Sequence, residues 1–337
     1  MIVITGGAGM IGSMIAWHLN TKLGRDDLMI VDHITHEAQW QNLVHRHYVE
    51  YLDRDQLFDF LEGNDDVTAV IHMGAISATT ERDFNKLVEA NIHYSQDLWS
   101  WCAENEVPFL YASSAATYGD GSAGYNDANI DKLRPLNGYG YSKHFFDQWV
   151  LRQTPESSPP AWAGFKFFNV YGPNEYHKER MASVAFHTFN QFSETGTMKL
   201  FKGNFNKITG AGVEDGMQLR DFVYVKDCAN IVAYFFSAAL TKKPVNRPIN
   251  INGIYNIGTG QARTFKDLAT TVMESMGKAP HINYIDMPAD LQGKYQYFTE
   301  ANMTKLRKAG YNAPMTSLED GVKDYVQNYL MQDDAYC

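Results

Sequence analysis

Short apolar runs alternate with segments of helical spacing along the first half of the chain. The runs are rich in β-branched and aromatic residues: IVIT (2–5), LMIVD (28–32), VTAVIHM (67–73), PFLYASS (108–114) and AGFKFFNV (163–170). Between them lie longer segments with helical periodicity, such as IGSMIAWHLN and FNKLVEANIHYSQDLWSWCAEN. Strands separated by helices of this length predict right-handed βαβ units, and therefore an α/β fold with a Rossmann-like, doubly wound parallel sheet.

The pattern becomes less regular after residue 170. A helix-like MASVAFHTFNQF is followed by the polar, glycine-rich KGNFNKITGAGVEDGMQ, then by the strand-like RDFVYV, a helix and GIYNIG. We therefore expect two parts. An NAD(P)-binding Rossmann domain covers 1–170 and is joined by about 221–262, and a smaller α/β substrate-binding domain covers 171–220 and 263–337. The smaller part should lie over the carboxyl ends of the strands.

Composition narrows the class of protein. The chain has 337 residues, of which 45% are hydrophobic, so it can bury a large core. A formal net charge of −10 without a basic stripe argues against nucleic-acid binding. The first residues lack the basic segment of a signal peptide, and no apolar run reaches membrane-spanning length, so we expect a cytoplasmic protein with no membrane partner. Three distant cysteines, Cys102, Cys228 and Cys337, favour neither disulfides nor a metal site.

The glycine-rich turn TGGAGMIG follows the first strand and opens a helix. Gly6, Gly9 and Gly12 have GxxGxxG spacing, and the same stretch also satisfies GxGxxG from Gly7. In this context such glycines allow a tight turn and close approach of the backbone to a pyrophosphate at a helix N-terminus. Asp32 follows Gly12 by twenty residues, where it can accept hydrogen bonds from an adenosine ribose. The pattern predicts a dinucleotide site; the alternative is a strand–helix turn that binds nothing.

The motif YGYSK adds candidate proton-transfer chemistry. Tyr139 and Lys143 are four residues apart and share one face of a helix. A nearby ammonium group favours the phenolate of a tyrosine, which otherwise titrates near pH 10. Ser114 ends the fourth strand-like run, where its hydroxyl can face the same crevice. YxxxK alone is common and mostly structural, but the combination with a nucleotide fold indicates a catalytic group.

Several separated motifs together resemble the extended short-chain dehydrogenase/reductase family of nucleotide-sugar enzymes. They are GGAGMIG, SSAATYG, YGYSK and FFNVYGP, and the resemblance covers nearly the whole chain. Within that family, FNVYGPNEYHKERMASVAFH, RDFVYV and KYQYFTEANMTKLRKAGY are similar to the ADP-L-glycero-D-manno-heptose 6-epimerases. The resemblance implies tightly bound NADP, with NAD as the alternative. It also implies epimerisation at C6 of an ADP-heptose by transient oxidation, a reaction that supplies heptose for lipopolysaccharide. The resemblance further implies that the protein is a homo-oligomer, specifically a homopentamer.

The resemblance also implies catalytic roles. Tyr139 matches the family's tyrosine base, and Lys178 matches its second acid/base group, which would serve the opposite substrate pose. Ser114 would hydrogen-bond the reacting oxygen, and Lys143 would bind the nicotinamide ribose and tune Tyr139. Lys178 has two alternative interpretations: a cation that only holds an anionic substrate, or a solvated loop lysine.

Binding residues carry over position by position. The implied cofactor contacts are Gly6, Gly9, Met10, Ile11, Gly12, Asp32, His33, Gln39, Arg54, Met73, Gly74, Ala75, Ile76, Ser77, Asn91, Tyr139, Lys143, Val170 and Lys178. The implied substrate contacts are Ser114, Asn169, Arg180, His187, Phe201, Lys202, Gly203, Asn204, Arg220 and Tyr295. Arg220 and Lys202 suit a diphosphate chemically. His187 taken alone would more often be a core histidine.

The chain departs from the family pattern at a few positions. Arg180 stands where the family usually has a serine, which alters the sugar end of the substrate or its charge. Gln39 replaces a lysine near the adenine ribose phosphate, whereas Arg54 keeps a cation at a second such position. Asp32 by itself favours NAD, although the family takes NADP with a similar aspartate. The segment NFNKITGAGVEDGMQL before RDFVYV is longer than usual.

Other functions remain open from the sequence. A 4-epimerase would use the same fold and motifs. A 4,6-dehydratase would need an acidic residue beside Ser114, where this chain has Ala115 and Ala116. A redox-sensing binding protein would bind the dinucleotide without turnover, and the intact Ser114, Tyr139 and Lys143 argue against it.

Overall fold

The computed structural model describes residues 1–128, 130–203, 205–206, 211–241, 251–288 and 297–337. Its strands are β1 (Ile2–Thr5), β2 (Leu28–Asp32), β3 (Glu50–Asp53), β4 (Ala69–His72), β5 (Phe109–Ser114), β6 (Trp162–Phe167), β7 (Asn169–Tyr171), β8 (Met198–Phe201), β9 (Phe205–Asn206), β10 (Ala211–Gly212), β11 (Leu219–Tyr224), β12 (Gly253–Ile257), β13 (Ala262–Thr264) and β14 (Ile282–Ile285).

The α-helices are α1 (Met10–Leu23), α2 (Leu57–Glu62), α3 (Phe84–Leu87), α4 (Tyr94–Glu104), α5 (Gly138–Val150), α6 (Val184–Thr195), α7 (Val225–Leu240), α8 (Phe265–Ser275), α9 (Thr304–Lys308) and α10 (Leu318–Tyr325). A π-helical stretch, Val88–His93, joins α3 to α4. Among the residues described, no helix is both long and apolar enough to cross a membrane.

The described strands form a seven-stranded parallel sheet in the order β12-β6-β5-β4-β1-β2-β3. Its side chains alternate between two cores: Ile2 and Ile4 face one side, and Val3 faces the other. Helices cover both faces, so the central strands are apolar on both sides, which is why they form continuous hydrophobic runs. The predicted Rossmann-like, doubly wound α/β fold is confirmed.

Smaller sheets lie beyond the main one. β11 pairs with β7 in parallel and with β13 in antiparallel orientation, and β8 pairs with β14. β12 returns to the main sheet beside β6, and α7 packs on α1. The division of the chain into two domains stays a prediction.

Two of the predicted elements have bounds that differ from the sequence pattern. The apolar run 163–170 is divided at Phe168, because β6 pairs within the main sheet while β7 pairs with β11. The helix-like MASVAFHTFNQF starts only at Val184, because the Ser183 hydroxyl caps the helix by accepting a hydrogen bond from the Phe186 N–H at 3.2 Å.

Candidate active site

The glycine turn lies at the carboxyl edge of the sheet, between β1 and α1. Gly6 has φ +63°, and a Cβ placed there would lie 2.6 Å from the Gly74 nitrogen. A Cβ on Gly12 would lie 2.1 Å from the Gly6 carbonyl oxygen. Gly9 is the N-cap of α1, and no side chain caps the first turn. The turn therefore brings bare backbone and a positive helix end to the crevice, which fits the pyrophosphate of a dinucleotide.

Asp32 closes the turn from the end of β2. Its carboxylate accepts hydrogen bonds from the Ala8 N–H at 2.9 Å and the His33 N–H at 2.8 Å. Burial raises the pKa of Asp32, and these hydrogen bonds oppose the rise. The carboxylate is thus fixed at the place where a ribose hydroxyl would bind in this fold.

The groups around the expected adenosine end carry mixed charges. His33 lies 2.9 Å from the Asp53 carboxylate, and Arg54 contacts Asp55 at 3.3 Å. The Arg54 side chain is 43% exposed, whereas Gln39 is buried. Arg54 therefore stays available as a cation at the surface of this end of the site.

The loop after β4, residues 73–77, borders the glycine turn. The Met73 N–H donates to the Thr5 carbonyl at 3.0 Å. Asn91 holds the other end of the loop: its Oδ1 accepts from the Ile76 N–H at 2.8 Å, and its Nδ2 donates to the Ile76 carbonyl and to Ser142 Oγ, both at 3.0 Å. Asn91 thus ties this loop to α5, the helix that carries the YGYSK motif.

Ser114, Tyr139 and Lys143 meet beside this loop. β5 ends at Ser114, and α5 begins next to Tyr139, with Asn137 as its N-cap. The Ser114 side chain lies close enough to the Tyr139 hydroxyl to act on its pKa as a hydrogen-bonding group. Burial raises the pKa of Tyr139, while Ser114 opposes the rise. The side chains predicted to act together are therefore adjacent.

Lys143 is almost fully buried, and burial makes the charged form of its side chain unfavourable in free energy. Only 3% of the residue is exposed, and burial lowers the pKa of the ammonium group from 10.5 to about 8, opposed by the charge of Asp147. The sequence argument expected Lys143 to depress the pKa of Tyr139. Burial is the larger effect, and the pKa of Tyr139 moves upward.

Lys178 lies against the start of α1. It belongs to a 3₁₀ helix, Tyr176–Met181, and its Nζ is 3.9 Å from the Met10 sulfur. Burial lowers the pKa of Lys178, and the Glu175 charge opposes this effect. These contacts do not fit a lysine extended into solvent.

Glu175 fixes the segment that carries Lys178. Its carboxylate is fully buried and accepts hydrogen bonds from the Ser183 N–H at 2.5 Å and the Ser183 hydroxyl at 2.7 Å. Arg180, in the same segment, is exposed and follows Glu179, which has φ +45°. Sequence reasoning missed Glu175, although it stands only three residues before Lys178.

The expected substrate contacts lie around β7, β8 and β11. Asn169 is exposed at the start of β7, and His187 is half-buried on α6. Arg220 is 5% exposed on β11; its Nη1 donates to the Leu219 carbonyl at 2.8 Å, and the guanidinium group lies over the Phe265 ring.

The loop after β8 lies beside the start of β11. Lys202 is exposed and paired with Asp286 at 3.0 Å, and its carbonyl accepts from Gln218 Nε2 at 3.0 Å. The Gly203 N–H donates to Asp215 at 2.7 Å, and Phe201 ends β8. Asn204, Tyr295 and part of the long linker segment fall outside the described residues.

The remaining expected cofactor residues belong to α1 and β7. Met10 and Ile11 form the first turn of α1, and Val170 is on β7. Among the residues described, no group of three or more potential metal ligands is present.

The model of the NAD dependent epimerase/dehydratase family matches residues 2–258. A protein of Fusobacterium nucleatum named ADP-L-glycero-D-manno-heptose-6-epimerase is 51% identical over 349 aligned positions, which cover 100% of both chains. A protein of the same name from Nitratidesulfovibrio vulgaris is 48% identical, again over 100% of both chains.

Solved structures agree with these relatives. The ADP-L-glycero-D-manno-heptose-6-epimerase of Helicobacter pylori has a TM-score of 0.76 at 26% identity, covering 97% of this chain and 95% of that chain. UDP-glucose 4-epimerase of Thermus thermophilus in complex with NAD has a TM-score of 0.73 at 24% identity, covering 96% of this chain and 97% of that chain, and supports the fold alone. The resemblance found in the sequence motifs is confirmed, and the chain belongs to the NAD dependent epimerase/dehydratase family.

Proposed function

We propose that this protein interconverts ADP-D-glycero-D-manno-heptose and ADP-L-glycero-D-manno-heptose at C6, for the supply of lipopolysaccharide heptose. The observation that carries the proposal is full-length identity of 51% and 48% to proteins bearing this epimerase name. The adjacent Ser114 and Tyr139 hydroxyls beside the glycine turn supply the chemistry that such a reaction needs.

The residues present fit a nicotinamide dinucleotide. The backbone at Gly6 and Gly12 leaves no room for a Cβ, and Asp32 is fixed beside the turn. Held by this backbone and by Asp32, the dinucleotide would supply reversible hydride transfer at C6. We propose NADP as the form used, with Arg54 facing the 2′-phosphate and NAD as the alternative that Asp32 favours. Acid-denatured protein should release the dinucleotide, and its identity by mass spectrometry decides between the two.

Two proton-transfer groups are proposed for the two substrate poses. In one pose Tyr139 Oη accepts the proton of the C6 hydroxyl while Ser114 Oγ hydrogen-bonds the same oxygen. In the other pose Lys178 Nζ exchanges the proton with the reacting oxygen. The lowered pKa of Lys178 supports this role, because a lysine that titrates closer to neutrality exchanges protons more readily. Lys143 binds the nicotinamide ribose.

The substrate is proposed to bind across β7, β8 and β11. Arg220 would pair with the diphosphate, because a guanidinium group binds phosphate oxygens in bidentate fashion. Arg180, which is exposed beside Lys178, would contact the heptose end. The remaining proposed contacts are Asn169, His187, Phe201, Lys202, Gly203, Asn204 and Tyr295. We also propose a cytoplasmic homo-oligomer, by resemblance a homopentamer, which sedimentation analysis would test.

The decisive assay is incubation of the purified protein with ADP-D-glycero-D-manno-heptose, with the configuration at C6 followed by NMR. We expect a mixture of the two epimers. Tyr139→Phe should lower the rate by about a hundredfold or more, because it removes the proton-accepting oxygen and keeps the ring. Unchanged substrate after prolonged incubation with dinucleotide-loaded protein would refute the proposed reaction.

A second experiment separates the acid/base role of Lys178 from a clamp role. Lys178→Met should lower kcat by about a hundredfold with little change in affinity if the amine moves a proton. Weakened binding with near-normal kcat at saturation would instead identify Lys178 as an anion clamp. Lys308→Met is a matched control, because Lys308 is exposed at the end of α9.

A further inference from the structure

A buried ion pair lies behind the Ser114 and Tyr139 side chains. Asp147 on α5 and Lys166 on β6 are both fully buried, and Asp147 Oδ2 lies 2.5 Å from Lys166 Nζ. The Asp147 carboxylate also accepts hydrogen bonds from the Tyr111 hydroxyl at 3.0 Å and the Ser113 hydroxyl at 2.7 Å. One carboxylate therefore joins α5 to both β5 and β6.

The pair reaches Ser114 from two directions. Ser113, which donates to Asp147, is the neighbour of Ser114 on β5. Lys166 Nζ donates to the Thr117 hydroxyl at 2.7 Å, and that hydroxyl donates to the Ser114 carbonyl at 2.8 Å. The strand end that carries Ser114 and the turn after it are thus both held by this ion pair.

The same pair reaches the other two members of the cluster through α5. Tyr139, Lys143 and Asp147 are spaced by four residues and lie on one face of the helix. The Asp147 charge raises the pKa values of Lys143 and Tyr139, in both cases as a smaller effect than burial. Asp147 therefore acts on the cluster through charge as well as through position.

Energetics argue that stability alone does not explain the pair. Removing two charges from water costs several kcal/mol per ion, and apolar replacements of a buried pair are often neutral or stabilising. A fully buried pair between a helix and two strands is better explained by the geometry and charge that it imposes on its neighbours.

We infer that the Asp147–Lys166 pair is a positioning element, which sets the offset between Ser114 and the helix bearing Tyr139 and Lys143 and balances the charge of that cluster. The inference rests on the proposed roles of these three residues. Other titratable groups also act electrostatically on the pair, on Lys143 or on Tyr139. They are His72 on β4, Tyr111 on β5, Tyr118 in the turn after β5, Asp127 in the segment before α5, His144 on α5 and Lys305 on α9.

Two substitutions at Asp147 separate charge from shape. Asp147→Asn keeps the shape and removes the charge, so the pKa values of Tyr139 and Lys143 should fall and the pH profile of kcat should move by about one unit toward acid. Asp147→Glu keeps the charge and displaces the helix, so kcat should fall without a shift of the profile. Asp324→Asn is the matched control, because Asp324 also accepts from a tyrosine, Tyr224, and pairs with a lysine, Lys226; it should leave the profile in place.

A direct titration keeps the inference testable apart from the proposed reaction. The pKa of Tyr139 is measured by NMR of ¹³Cζ-labelled tyrosine in the full-length protein, with Tyr139→Phe assigning the signal. Because removal of one partner leaves an unpaired buried charge, the double variant Asp147→Asn/Lys166→Met is measured as well. A downward shift of the Tyr139 pKa in a folded variant without the Asp147 carboxylate supports the inference. An unchanged pKa, or an equal shift in Asp324→Asn, overturns it. Failure to epimerise ADP-heptose would refute the proposed function and leave this titration valid.

Discussion

Lys143 should destabilise the ligand-free protein at neutral pH. Burial lowers its pKa from 10.5 to about 8, so the unfolded state binds a proton more tightly than the folded state does. Below pH 8 Lys143 is charged in both states, and the full free-energy cost of burying its charge applies. This cost disappears as the pH rises from 8 to 10.5, because in this range the unfolded chain binds more protons than the folded chain. A difference of about 2.5 units corresponds to on the order of 3 kcal/mol at 1.36 kcal/mol per unit. The residue is only 3% exposed, so solvent screening does not reduce this figure much.

Lys143→Met tests this reasoning, since methionine keeps most of the side-chain length and removes the charge. Urea unfolding of dinucleotide-free protein at pH 7 should show the variant to be more stable than the unsubstituted protein by up to about 3 kcal/mol. Near pH 10 the difference should be much smaller. The comparison between the two proteins cancels the titration of groups that both contain.

The opposite pH dependence, or the same difference at pH 7 and pH 10, would refute the assignment of Lys143 as a strained buried cation. Lys308→Met should show no pH-dependent difference, because that side chain is exposed. Stability and activity should change in opposite directions at this position. The Lys143→Met variant should be more stable than the unsubstituted protein but epimerise more slowly, because the ribose contact is lost.

Three further outcomes are expected at the dinucleotide site. Gly12→Ala should abolish dinucleotide binding measured by fluorescence, because the new Cβ would lie 2.1 Å from the Gly6 carbonyl oxygen; retained binding would show that the turn can relax. Asn91→Ala should weaken dinucleotide binding by about tenfold in calorimetry, because Ile76 loses both hydrogen bonds to the Asn91 amide. An unchanged affinity would show that these hydrogen bonds do not hold the loop after β4 in its binding conformation. Arg54→Ala should weaken NADP more than NAD in competition, and an equal effect on both would remove Arg54 from the phosphate site.

Hydrophobic pattern was enough to predict the inner strands of the main sheet, because these strands are buried on both faces. The runs at 2–5, 28–32 and 108–114 match β1, β2 and β5 closely. Strand β3 was not predicted. Its sequence EYLD is one exposed residue followed by three half-buried ones, because β3 forms the outer edge of the sheet, where a continuous apolar run is not required. Strand pairing beyond the main sheet, such as β7 with β11, depends on contacts distant in sequence.

The sequence motifs predicted the positions of the candidate site residues more accurately than the directions of their pKa shifts. The spacing of Tyr139 and Lys143 correctly places both on one helix face, but the direction of the pKa shift of Tyr139 depends on how much water the fold removes. That burial depends on elements outside the motif, such as the end of β5, where Ser114 lies beside Tyr139. Lys178 is a similar case, since its surroundings include Met10, which is far away in sequence.

The Asp147–Lys166 ion pair could be predicted from the sequence only in part. Asp147 extends the Tyr139–Lys143 spacing by one more step of four residues, so its place on the same helix face follows from the sequence. In β6, Phe165 and Phe167 face one core, and alternation places Lys166 on the other side of the sheet. The sequence could therefore assign a face to each charge. It could not show that both charges are fully buried and 2.5 Å apart, because that depends on the adjacency of β5 and β6 and on α5 packing over them.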